Sequence, residues 1–149
     1  ANLTTGAWCY YNDDSANGSV YGKLYNWYAV NDPRGLAPNG WHVPSTNEYI
    51  TLTSFLGGDA IAGGKLKTTS LWNSPNVGAT NSSGFSGLSG GYCTNFSYAY
   101  MGEFGIWWTT TQLNTAIAYS FMLGTYDASS SFSGDQSKKY GCSVRCIKD

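Results

Sequence analysis

The chain has 149 residues, enough for one ordinary domain with one core and cramped for two. Only 11% of residues are charged, about half the usual share, and the net charge is -1, so no electrostatic footprint favours nucleic acid or an anionic membrane as partner. With 19 Gly, 12 Tyr and 6 Trp, the surface is neutral, polar and aromatic rather than ionic.

In chain order, Asn12, Asp13 and Asp14 come first, in a Tyr-Asn-Asp-Asp-Ser turn whose clustered hard oxygens make calcium a possible cofactor. The spacing lacks the regular pattern of a defined calcium loop, so a solvated turn is the better reading. Ser19 is positioned to cap a short helix running from Tyr21 to Val30 and burying Leu24, Trp27 and Tyr28, with Asn31 to Gly35 ending it. Ser45 and Glu48 form the Ser-x-x-Glu signature of a capping box, which predicts a helix over about Thr46 to Leu56 with Tyr49, Leu52, Phe55 and Leu56 at helical spacing. The pair Gly57-Gly58 supplies its left-handed stop. After Gly64, Ser, Thr, Asn and Gly dominate and apolar residues come in short runs, the pattern of strands and long loops. Leu71 to Gly84 reads as an ordered loop anchored by Trp72; Ile106 to Thr110, Ala116 to Leu123 and Cys142 to Ile147 read as strands. Two helices against small twisted antiparallel sheets give an α+β domain. No apolar run is long enough to span a bilayer, so direct membrane insertion is not expected. No leader-like segment opens the chain, and a C-terminal module of a longer protein is expected.

Little in the sequence points to catalysis. His42 is the only histidine and has no obvious nucleophile or second metal ligand, so it is assigned to the scaffold, and capping accounts for Glu48. Cys9, Cys93, Cys142 and Cys146 allow three complete pairings, among which the sequence does not choose. Cys142 and Cys146 form a lone Cys-x3-Cys without a nearby histidine, a poor zinc signature.

Several motifs occur together in order: Trp8-Cys9-Tyr10, Tyr21-Gly22-Lys23-Leu24-Tyr25-Asn26-Trp27, Gly40-Trp41-His42-Val43-Pro44, Gly84-Phe85-Ser86, Gly90-Gly91-Tyr92, Trp107-Trp108 and Ser143-Val144-Arg145-Cys146. From about Trp8 onward the chain resembles the Fibrobacter succinogenes major paralogous domain family. The resemblance implies a C-type-lectin-like fold related to that of formylglycine-generating enzymes. It also implies an extracellular location, on a bacterial cell surface or a phage virion, and a disulfide between Cys9 and Cys146. Cys93 and Cys142 depart from the residues common in relatives. An oxidase like the formylglycine-generating enzymes would need a reactive thiol and has no other support, since fold does not establish function.

Many members of this family resemble the variable proteins of diversity-generating retroelements, in which chosen codons near the C-terminus are randomised between fixed motifs. Between the fixed motifs here lie Thr94, Ala99, Tyr100, Glu103, Phe104, Ile106, Leu113, Asn114, Ser120, Met122, Gly124, Tyr126 and Asp127, which share no periodic logic. The resemblance implies that they form a ligand-binding face for a protein or glycan receptor, with Tyr100, Phe104, Ile106 and Tyr126 as exposed anchors. Rigid aromatics beside small polar residues are also the contact vocabulary of antibody paratopes. The alternative is a fixed carbohydrate-binding module, in which Tyr or Trp rings stack on sugars.

Overall fold

The computed structural model describes residues 3–95 and 97–149. Its elements are β1 (Trp8–Cys9), a 3-10 turn (Tyr11–Asp13), α1 (Ser15–Tyr21), β2 (Leu24–Tyr25), α2 (Trp27–Val30), β3 (Trp41–His42), α3 (Thr46–Phe55) and α4 (Asp59–Leu66). They are followed by β4 (Tyr92–Cys93), β5 (Tyr98–Ala99), β6 (Phe104–Gln112), β7 (Ile117–Gly124), β8 (Ser130–Ser137) and β9 (Ile147–Lys148). The α+β class expected from the sequence is the class observed.

The single helix expected over Tyr21 to Val30 is instead two short helices with β2 between them. Caps explain the difference. The Asp14 side chain accepts from Ala16 N at 2.8 Å and starts α1, and Gly22 (φ 80°) ends it. The Asn26 side chain accepts from Ala29 N at 3.1 Å, starting α2, and from Ala7 N at 3.0 Å, which pins the incoming chain. Ser19 is inside α1, bonded back to Ser15 O, and caps nothing. Leu24 and Trp27 are buried as expected.

The capping box at α3 is present in full: Glu48 N donates to Ser45 Oγ, and Ser45 N donates to Glu48 Oε2 at 2.7 Å. Helix α4 is an element the sequence reading missed, because Gly63-Gly64 reads as a breaker. A Cβ on Gly63 would stand 1.9 Å from Ser129 O and one on Gly64 2.3 Å from Gly78 O, so two loops touch the helix backbone directly. Gly64 N donates to Ala128 O at 2.9 Å, and Gly64 O accepts from Thr80 N at 2.8 Å. The glycines exchange helix propensity, about 1 kcal/mol each, for that close approach.

The main sheet is the antiparallel ribbon β6-β7-β8. One face carries Trp107, Phe121 and Leu123, packed with Tyr49 and Leu56 near α3 and with Ala62 and Leu66 of α4. The other carries Ile106, Trp108 and Ala118, packed with Trp27 and Val30 of α2, Val43 and Cys142. Both buried indole donors on this side are satisfied, Trp27 Nε1 by Thr109 O at 2.9 Å and Trp108 Nε1 by Tyr25 O at 2.7 Å. The last segment does run centrally, though not as one strand. Cys142 bonds to Tyr25 and Ser143 to Ile106 and Trp108, and then β9 pairs with β3.

The 71–84 loop is ordered, with Trp72 Nε1 donating to Gly87 O at 3.0 Å as its anchor. Lys67, fully buried, also holds it. Its ammonium donates to Val77 O at 3.0 Å, Gly124 O at 2.7 Å and Asp127 O at 2.7 Å, joining the loop, the end of β7 and the turn beyond it.

Candidate binding face

Helix α2 packs against β6 around Trp108, leaving the opposite end of that sheet face uncovered by any helix among the described residues. Paired residues of adjacent strands share a face. Phe104 pairs with Gly124, Ile106 with Met122, and Met122 with Ser131; Ser133 follows beside Ser120. Over this end lie aromatic side chains from three other segments. Tyr92 of β4 stacks on Tyr100 with ring centres 5.8 Å apart and lies 5.9 Å from Tyr140, while Tyr100 meets Phe104 edge-on at 5.4 Å. Such ring pairs contribute about 0.5 to 1.5 kcal/mol each beyond burial, enough to hold the cluster as a preformed surface.

Tyr100 is 50% exposed, and Tyr92, Phe104, Met122 and Tyr140 are half-buried. The rim is polar: Ser131 and Asp135 are exposed, and the Ser133 hydroxyl donates to the Asp135 carboxylate. Burial, then the neighbouring phenols Tyr100 and Tyr140, push the Tyr92 phenol above its ordinary range. At neutral pH the Tyr92 phenol at the centre of the cluster is therefore uncharged.

The residues proposed from sequence divide among several places. Tyr100, Phe104, Met122 and Gly124 lie on this face. Thr94 and Ala99 belong to the adjoining β4-β5 hairpin, with Ala99 opposite Tyr92 and Thr94 Oγ1 donating to Ser97 O. Glu103 O accepts from Thr125 N, which places Glu103 beside the turn holding Tyr126 (60% exposed) and Asp127, just beyond β7. The Asp127 carboxylate accepts from Ser129 N and Oγ.

Two residues do not fit an exposed face. Ile106, expected as an anchor, is 2% exposed because, although paired with Met122 on the same side of the sheet, it belongs to the core cluster with Trp27 and Trp108. Ser120 is fully buried opposite Trp108, and its hydroxyl has no hydrogen-bond partner among the described residues. Leu113 and Asn114 are exposed but occupy the β6-β7 turn at the far end of β6, about 30 Å from Phe104 at strand rise. Asn114 Oδ1 accepts from Ala116 N and Ile117 N and so shapes that turn. Conversely, Tyr92, Tyr140, Ser131, Ser133 and Asp135 belong to the face and were not singled out. Tyr92 sits in a fixed motif, while in β8 the alternation of Ser131, Phe132 and Ser133 was the available signal.

The remaining candidates have structural partners. His42 bridges Glu48 (Nε2 to Oε1, 2.6 Å) and Asp149 (Nδ1 to Oδ1, 2.6 Å), and the Asp149 and Glu48 carboxylates raise its pKa above the ordinary imidazole value. The Ser45 backbone N–H and His42 hold Glu48 below the usual carboxylate range. Asp14 is engaged as a cap, and Asp13 lies against the Tyr98 hydroxyl. Among the described residues no His, Cys, Asp and Glu cluster has the grouping of a metal site. The expected Cys9–Cys146 disulfide is not observed. Cys9, paired with Leu24 at the β1-β2 edge, meets Cys93 with 3.2 Å between sulfurs, whereas Cys146 lines a cleft of about 320 Å³ with Trp41, Tyr49 and Phe85. Cys142 is wholly buried, which raises its thiol pKa, and it bonds to no other cysteine.

The Gly84-Phe85-Ser86, Trp107-Trp108 and Ser143-Val144-Arg145-Cys146 motifs meet as scaffold contacts. Arg145 donates to Phe85 O at 2.6 Å and lies 4.5 Å over the Phe85 ring, which in turn meets Trp107 edge-on at 5.6 Å. No helix of the described residues is long and apolar enough to cross a membrane. No curated protein and no solved structure matches the chain significantly. The Fibrobacter succinogenes major domain, however, matches residues 1–148. By that match the chain belongs to the Fibrobacter succinogenes major domain family.

Proposed function

We propose that this chain is a non-enzymatic receptor-binding domain of C-type-lectin-like fold, carried on a bacterial cell surface or a phage virion, whose contact surface is the uncovered end of the β6-β7-β8 sheet. The observation that carries this reading is the cluster of Tyr92, Tyr100, Phe104 and Tyr140 beside Met122, contributed by four separate segments yet packed ring to ring while half exposed. Preorganised aromatics lose little entropy on binding, and a protein receptor is engaged by a few such anchors within a polar rim. With a net charge of -1, long-range steering is small, and affinity is expected to vary little with salt.

The proposal extends to diversification by a retroelement, because the face is built from alternate strand residues whose neighbours form the core. The test is the encoding locus. A near-copy of the segment encoding Gly90 to Asp149 is expected beside a reverse-transcriptase gene. Differences from it at template adenines should gather at Tyr100, Phe104, Met122, Ser131 and Ser133 and spare Gly105, Trp107, Phe121 and Leu123. A copy whose differences fall equally on both sheet faces, or no copy at all, defeats this extension.

A fixed carbohydrate-binding module is the second reading, favoured by the exposed Tyr100 ring and the Asp135 carboxylate, both neighbours of Tyr92, which suit stacking on a sugar and bonding to its hydroxyls. A glycan array separates the two. Selective binding lost in Tyr100→Ala supports the sugar reading, and a blank array supports a protein receptor.

A further inference from the structure

We propose that Cys9 and Cys93 form a disulfide that fastens the N-terminal strand β1 to the β4-β5 hairpin. Their sulfurs lie 3.2 Å apart, although the two positions are 84 residues apart along the chain. This is contact without a bond, which would bring them to about 2.05 Å. The surroundings are arranged around this meeting. Cys93 exchanges both backbone hydrogen bonds with Gly141, and a Cβ on Gly141 would stand 2.5 Å from Cys93 Sγ and 3.2 Å from Leu24 Cβ. Leu24 is the residue paired with Cys9. Any side chain at position 141 would therefore push into the space through which Cys93 reaches Cys9.

Access is also present. Both cysteines line a cleft of about 130 Å³ with Trp8, Asn26, Thr94 and Lys139, so the sulfurs are reachable from outside. The hydrogen bond from the Cys9 thiol favours the thiolate of Cys93 and disfavours that of Cys9. Cys93 is accordingly the attacking sulfur. The oxidant is a disulfide, either of a thiol–disulfide oxidoreductase or of a small molecule such as oxidised glutathione. The Cys93 thiolate attacks one sulfur of that disulfide, forming a mixed disulfide and expelling the first thiolate. Cys9, on losing its proton, then attacks Cys93 Sγ and expels the second. Two protein thiols give up two electrons and two protons, and the oxidant leaves as two thiols.

The bond would fix the hairpin that carries Tyr92 and leads into Tyr100, whatever the domain binds. It differs from the Cys9–Cys146 link that family resemblance implies, and it leaves Cys142 and Cys146 as thiols. The test is to equilibrate the purified chain with oxidised glutathione, block remaining thiols with iodoacetamide and map peptides by mass spectrometry without reduction. A peptide pair joined through Cys9 and Cys93, with Cys142 and Cys146 alkylated after denaturation, is the expected result. Oxidation should raise the melting temperature by roughly 10 °C. That rise should vanish in both Cys9→Ser and Cys93→Ser and persist in Cys146→Ser. A link from Cys9 to Cys146 or Cys142, or four alkylated cysteines after oxidation, overturns the proposal.

Discussion

Replacing Lys67 with Met keeps the length and the apolar stem of the side chain and deletes only the charge that three loops share. The three carbonyls of Val77, Gly124 and Asp127 then face a thioether that donates nothing. Hydrogen bonds to a charged donor contribute about 1.5 to 3 kcal/mol each, so the gross loss is about 5 to 9 kcal/mol. Removing a buried ammonium recovers several kcal/mol of desolvation, leaving a net destabilisation of about 3 to 5 kcal/mol. At about 3 °C per kcal/mol for a chain of this size, the melting temperature should fall by about 10 to 15 °C. Urea unfolding of Lys67→Met and of Lys65→Met measures this, since Lys65 makes one bond, to Leu56 O at 2.8 Å, and is only half-buried. Lys65→Met should cost about 1 kcal/mol or less. Hydrogen exchange at the Val77 amide, which donates to Thr125 O, should accelerate in Lys67→Met alone. If Lys67→Met lies within 1 kcal/mol of the parent, the ammonium does not hold the loops.

Tyr100→Ala, which loses two half-exposed ring contacts, should lower unfolding free energy by about 1 to 3 kcal/mol while Trp108→Ala lowers it by about 3 to 5 kcal/mol, in parallel urea titrations, because only the second ring is buried on all sides. Ser120→Ala should be neutral or stabilising by up to about 1 kcal/mol, since the buried hydroxyl it removes has no partner among the described residues; a loss of about 1 kcal/mol or more would reveal a bond to Ser120. His42 should titrate above its ordinary value in an NMR pH series. Because its folded pKa is raised, its contribution to stability is complete below the unfolded value and disappears as pH rises through the folded one. Glu48, whose folded pKa is lowered, behaves oppositely, its contribution being lost as pH falls through that lowered value. A His42 pKa at or below the ordinary value would contradict the Glu48–His42–Asp149 bridge.

What the sequence revealed was what short-range chemistry decides. The Ser45–Glu48 box depends on residues three apart, and the Trp72 loop on an absence of periodicity, so both were legible. Helix α4 was not, because the value of Gly63 and Gly64 lies in loops near positions 78 and 128, far along the chain. Nor was the division of the face. Phe104 and Ile106 fall on the same side of β6, so alternation could not tell half-buried Phe104 from buried Ile106, and only the core cluster that Ile106 shares with Trp27 and Val30 of α2 does so. The Cys9–Cys93 contact is likewise set by how β1 and β4 meet around Gly141, which cysteine spacing does not encode.

The pairing of β7 is irregular with both neighbours, between Trp108 and Gln112 on one side and between Ala118 and Ser120 on the other. A slip of β7 by one residue would move Phe121 and Leu123 to the opposite sheet face and put Ser120 and Met122 in their place, and the two bulges leave no equivalent alignment to slip into. Alignment of the sheet is thus fixed near its covered end, by features separate from the side chains of the open end. Exchanging residues there is expected to leave the strand register intact, so a library built on alternate positions is expected to present several surfaces on one backbone.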